Sequence, residues 1–238
     1  MSLSLLSLGF LLGMRHAVET DHVAALASLA TRSRGVADTI RQGAIWGIGH
    51  TLTLFVFGSC VLLMDGIIPQ QLAQGLEFAV GLMLIVLGLD VLRRLRRERI
   101  HFHAHRHDDG RQHFHAHSHT GETGHAALHH HQHPRRGFPL RALCVGLMHG
   151  MAGSAALILL TLQTVPSPLT GMLYIALFGI GSIAGMALLS VVIAIPLRYS
   201  ATGLTWLHNG LQAAIGSATI VIGCRLVYET GISGGLLT

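Results

Sequence analysis

Long apolar runs joined by short polar connections dominate the chain. A helix needs about 20 apolar residues to cross a bilayer, and six stretches reach that length: residues 3–30, 40–64, 71–92, 140–164, 171–197 and 203–228. Tight joints carry Asp65-Gly66 with Pro69, and Pro166 with Pro168. One long insertion, rich in Arg and His, follows the third run. The pattern predicts an all-α polytopic membrane protein of six transmembrane helices. Residues 1–95 form a first three-helix unit, 96–138 a loop, and 139–238 a second three-helix unit.

The two units resemble each other. Gly13-Met14-Arg15-His16 is echoed by Gly146-Leu147-Met148-His149, and Ala24-Ala25-Leu26 by Ala155-Ala156-Leu157. Trp46-Gly47-Ile48-Gly49-His50 matches Phe178-Gly179-Ile180-Gly181-Ser182, and Gly75-Leu76-Glu77 matches Gly210-Leu211-Gln212. Three spans per unit is an odd number, so the second copy inserts upside down. The expectation is a 3+3 inverted repeat, an architecture of many secondary transporters, with the site near the midplane.

Charge sets the orientation. All 16 basic residues are Arg, and the loops after runs one, three and five hold Arg32, Arg34, Arg41, those from Arg93 to Arg141, and Arg198. The loops on the other side hold none, so the positive-inside rule directs both termini outward and the His-rich loop into the cytoplasm. Glu77 and Arg225 are then both expected near the outer ends of their spans, where opposite charges favour pairing. Asp90 is expected at the cytoplasmic end, beside Arg93 to Arg99.

Composition narrows the chemistry. Charged residues make up 11% of the chain against 50% hydrophobic, where a soluble domain carries roughly 25% charge. A pI near 9.9 does not signal nucleic acid, because the Arg flank apolar segments as topology signals do. Cys60, Cys144 and Cys224 lack CxxC spacing, which excludes a zinc ribbon and a disulfide framework. The apolar N-terminus has no positive charge ahead of it and is not read as a cleaved signal peptide. There is no P-loop.

The first run carries Arg15, His16, Glu19, Asp21 and His22. Charge at membrane depth costs about 2.5–3.5 kcal/mol per residue even on the lenient insertion scale. A structural reading has Arg15 neutralise Glu19 or Asp21, but leaves two imidazoles and a carboxylate without a purpose. Imidazole with carboxylate suits a borderline divalent transition metal such as nickel, cobalt or zinc; a proton relay is the competing reading. On an unbroken helix of about 3.6 residues per turn, His16 and His22 lie about 120° apart and about 9 Å along the axis. Either the helix unwinds near Val18 to Thr20, or the two His act at different steps. His50 in the second run and His149 in the fourth, each beside Gly, add two imidazoles.

Arg15-His16-Ala17-Val18-Glu19-Thr20-Asp21-His22 resembles the RHA(V/F)DADH signature of the nickel/cobalt transporter (NiCoT) family, with its H-x4-D-H core intact. Gly49-His50-Thr51 is similar to that family's LGHS/T element. The resemblance implies a permease for Ni2+ or Co2+ and carries metal recognition onto His16, Asp21, His22 and His50. Glu19 stands where the family has Asp, and residues His149 to Ser154 stand in place of its LGFDTATE-like element. Six spans beginning outside resemble the short branch of the wider nickel/cobalt (NicO) superfamily, some of whose members are called urease accessory proteins.

The loop alternates His101, His103, His105 and His107, then His113, His115, His117 and His119. With few large apolar groups it is expected to be disordered without metal. It reads as a low-specificity site for Ni2+, Co2+, Zn2+ or Cu2+. The whole is expected to be a cytoplasmic-membrane permease for nickel or cobalt uptake, not an enzyme. The metal is cargo, there is no resident cofactor, and the partners are the bilayer, the divalent ion and nickel-enzyme assembly proteins. Efflux by the same fold and a membrane metallochaperone are the alternatives. An intramembrane metallohydrolase fails on spacing, because the zincin motif H-E-x-x-H puts both His on one helical face.

Overall fold

Where water is absent, backbone N–H and C=O groups must be satisfied within the segment itself, and the apolar runs therefore fold as helices. A computed structural model describes residues 3–33, 35–64, 69–97, 101–106, 112–117, 139–151 and 167–236. The helices are α1 (Leu3–His16), α2 (Thr20–Ala30), α3 (Val36–Met64), α4 (Gln70–Arg97), α5 (Leu140–Gly150), α6 (Pro168–Gly203) and α7 (Thr205–Tyr228). A π-turn, Glu229–Ser233, extends α7. The N-terminus of α6 has Pro at its first position and a Ser167 side chain that accepts from the Thr170 N–H at 3.3 Å, both favourable start signals.

Among the described residues four helices are long and apolar enough to cross a membrane: α3, α4, α6 and α7 with its π-turn. The first predicted crossing is two helices instead, α1 and α2, separated at residues 17–19. Of the fourth, α5 is described and residues 152–164 lie outside the described residues. The crossing helices turn large apolar side chains outward, with Val86, Leu188, Val192 and Val221 more than half exposed, as a lipid-facing surface requires.

Helix α3 packs along α6 and α4 along α7, while α1 lies on α6 and α5 on α3. Small residues bring the backbones together. A Cβ on Gly13 would overlap the Phe178 carbonyl oxygen, and one on Gly146 would overlap that of Trp46. The α4–α7 contact is reciprocal: a Cβ on Gly81 would stand 3.0 Å from the Gly223 oxygen, and one on Gly223 2.7 Å from the Gly81 oxygen. Hydroxyls tie the helices further, Thr53 Oγ1 donating to the Leu147 carbonyl at 3.1 Å and Ser182 Oγ to that of Gly13 at 3.2 Å.

At the Arg-rich end, Asp90 gathers three guanidinium groups: Arg32 at 2.6 Å, Arg141 at 3.1 Å and Arg94 at 3.4 Å. It does sit beside the Arg cluster of its own helix, but its shortest contacts come from the end of α2 and the start of α5. Arg225 pairs with Glu229 at 2.7 Å, in place of the expected Glu77. A partner one turn along the same helix is already in position. In the loop, His101–Arg106 and Gln112–His117 pair as an antiparallel ribbon, where disorder was expected. The His-x-His alternation has the two-residue period of a strand. His107 and His119 lie outside the described residues.

Candidate metal centre

The helix break between α1 and α2 builds the site. Helix α1 ends at His16, Glu19 adopts an extended backbone (φ −63, ψ 148), and α2 restarts at Thr20. Asp21 falls in the first turn of α2, where a carboxylate is favoured by the helix dipole. The break swings His22 back toward His16 until their ring centroids are 4.3 Å apart, which an unbroken helix could not do. His50 projects from the middle of α3 and His149 from the last turn of α5. Gly150 lies flat on the His50 backbone, where any Cβ would overlap the His50 carbonyl.

The four histidines His16, His22, His50 and His149 and the carboxylate of Asp21, read from the sequence as metal ligands, therefore meet in one cluster. His16, His22, His50 and His149 are buried, each 5% exposed or less. The Asp21 carboxylate receives His22 Nδ1 at 3.0 Å, the His22 backbone N–H at 2.9 Å and His149 Nε2 at 2.9 Å. Glu19 Oε1 lies 2.9 Å from His16 Nδ1, and His16 Nε2 lies 3.2 Å from His50 Nε2.

These contacts assign the protons. A carboxylate only accepts, so with neutral rings His16 carries its hydrogen on Nδ1, His22 on Nδ1 and His149 on Nε2. His16 Nε2 is then an acceptor and His50 Nε2–H its donor. Three lone pairs are left over, on His22 Nε2, His50 Nδ1 and His149 Nδ1, and these three buried atoms have no hydrogen-bond partner among the described residues. A buried acceptor without a donor is costly. Neutral imidazoles oriented by carboxylates are also the form in which histidine ligates a metal.

Among the described residues, two groups have ligand atoms close enough to share an ion, His16 with His22 and His50, and Asp21 with His22 and His149; within each group those atoms lie within 4.8 Å of one another. Imidazole and carboxylate donors suit borderline divalent ions of the first transition row. Two neighbours were not assigned a role from the sequence. Glu19 orients His16, and Trp46, fully buried, packs its ring 5.5 Å from His22 and 5.6 Å from His149. The His50 motif did contain Trp46, but its facing the cluster depends on how α3 meets α2 and α5.

Apolar crossing helices wrapped around a buried cluster of metal-ligating side chains define a helical membrane protein. The chain is 36% identical over 240 residues to Urease accessory protein UreH of Bacillus sp. (strain TB-90), an alignment covering 98% of this chain and 95% of that protein. It belongs to the UreH family of urease accessory proteins. It is also similar to two Arabidopsis thaliana proteins, Chloroplast protein FOR GROWTH AND FERTILITY 1 (27% over 181 residues) and 2 (26% over 187 residues). It spans less than half the length of each, 46% and 45%, against 75% and 78% of its own. No protein-family model and no solved structure matches it.

Proposed function

We infer that this protein is a permease that carries Ni2+ or Co2+ into the cytoplasm, the ion resting on His16, Asp21, His22, His50 and His149. The observation that carries the reading is the set of three buried imidazole lone pairs, gathered about a helix break, that have no partner among the described residues. A metal cation is the natural partner of such lone pairs, and a purely structural cluster would leave them unsatisfied. The relative named a urease accessory protein supports nickel as the cargo, since urease is a nickel enzyme, and the H-x4-D-H likeness to nickel/cobalt transporters points the same way. The crossing helices support the cytoplasmic membrane as its place.

The transport geometry is that of two inverted three-helix repeats. Several reciprocal contacts favour it: Gly13 on Phe178 answers Gly146 on Trp46, and α1 on α6 answers α5 on α3. Under that topology α1 and α5 are half-length helices that enter from opposite faces and end at the cluster. Asp90 with Arg32, Arg94 and Arg141 then lies at the cytoplasmic mouth. The His-rich loop on that side buffers the released metal at low specificity, and nickel-enzyme assembly proteins are its recipients.

Nickel accumulation in cells that express the chain tests function and direction together. Import predicts more cell-associated nickel than in cells carrying an empty vector. Less nickel would reverse the direction to efflux, and an unchanged amount would leave a metallochaperone role in place of transport.

A further inference from the structure

The cluster divides unevenly. The His16 group offers three neutral imidazoles, and the His149 group offers two imidazoles and the Asp21 carboxylate. His22 is the one residue common to both. Its ring centroid is 4.3 Å from that of His16 and 4.1 Å from that of His149, while the His50 and His149 centroids are 6.2 Å apart. The His16 group hangs on the end of α1 and the middle of α3; the His149 group hangs on the start of α2 and the end of α5. Apart from the shared His22 on α2, the two groups draw on different helices: His16 and His50 are on α1 and α3, Asp21 and His149 on α2 and α5.

We propose that the cluster is two overlapping three-ligand subsites hinged on His22, and that an ion passes from one to the other by exchanging His16 and His50 for Asp21 and His149 across the two nitrogens of the His22 ring. This rests on reading the cluster as a metal site, but not on transport. The exchange has a direction built into it. An ion on three neutral imidazoles keeps its full double charge, and moving onto the carboxylate neutralises part of it in a setting where Coulomb attraction is strong. Asp21 stands on the Nδ1 side of His22 and on the Nε2 side of His149, so the ion meets His22 through Nε2 in the first group and through Nδ1 in the second, which engages once those two hydrogens have moved to His22 Nε2 and His149 Nδ1.

Co2+ is the probe, because its visible absorption reports ligand type and number, and the full chain purified in detergent is the sample. One double variant, His16→Gln with His50→Gln, strips the first subsite; another, Asp21→Asn with His149→Gln, strips the second. Each is expected to bind one Co2+, with affinity within about 100-fold of the unmodified chain, the range that disturbing neighbouring groups produces, and the two are expected to give different spectra. His22→Gln, common to both subsites, is expected to lose more affinity than either. Where a double variant does not elute like the unmodified chain, the single variants His50→Gln and His149→Gln read the same spectral difference. Loss of Co2+ binding in both stripped variants, or identical spectra from them, would overturn the division in favour of a single five-ligand site. An unmodified chain that binds no Co2+ would overturn the metal-site reading itself.

Discussion

His16 depends on a carboxylate that is itself half exposed. Glu19 accepts from His16 Nδ1 at 2.9 Å with its own side chain 50% exposed. It thereby keeps Nε2 of His16 as the atom with a lone pair. Carboxylates behind metal-ligating histidines typically set affinity by 10–100-fold. Glu19→Gln is accordingly expected to weaken nickel binding by about 10- to 100-fold without unfolding the chain, as measured by metal titration of the purified protein. Unchanged affinity would mean that Glu19 is a bystander. The five clustered residues were legible in the sequence because charge and imidazole stand out in an apolar run. The role of Glu19 was not, since its partner is decided by the turn at residues 17–19, and either carboxylate in that stretch could have reached a histidine.

At the scale of elements, the decisive feature is a helix that stops where an uninterrupted one would have been longer. Hydropathy alone reads residues 3–30 as a single crossing, and the geometric conflict between His16 and His22 was the signal for a break. The pairing partner of Arg225 was not legible, because Glu229 lies beyond the apolar run in a π-turn that hydropathy does not register. Glycine does comparable work between helices. Gly13 and Gly146 occupy matching positions against carbonyls of α6 and α3, whereas a Cβ on Gly75 would meet nothing within 4 Å. Gly13→Ala and Gly146→Ala are expected to destabilise the protein to similar degrees, about 1–3 kcal/mol as for other overpacked contacts. Gly75→Ala should be close to neutral. Thermal unfolding in detergent checks this, and a large inequality between the first two would argue against equivalent repeats.

For the whole molecule, the separation between a buried cluster of defined geometry and a repetitive external loop predicts a division of labour. As metal sites, the core would discriminate by geometry, whereas the His-rich segment would follow the general affinity order of divalent ions. Deleting residues 101–133 should remove most low-affinity nickel binding, read as stoichiometry by titration, and should leave part of the uptake rate. Complete loss of uptake in a well-inserted deletion would make the loop an obligatory part of the pathway. The membrane class and the apolar crossing helices were readable from hydropathy and composition alone, while the ribbon within the loop was not, because low hydrophobicity outweighed its two-residue alternation.

Passage of a metal ion across the membrane through the histidine–carboxylate cluster would require His22. Liposomes containing the purified chain, given external nickel, test it most directly when the unmodified protein is compared with His22→Ala. Saturable nickel entry is expected with the unmodified chain, and entry at the level of protein-free liposomes with the variant, inserted in equal amount. Equal rates for the two proteins would contradict it.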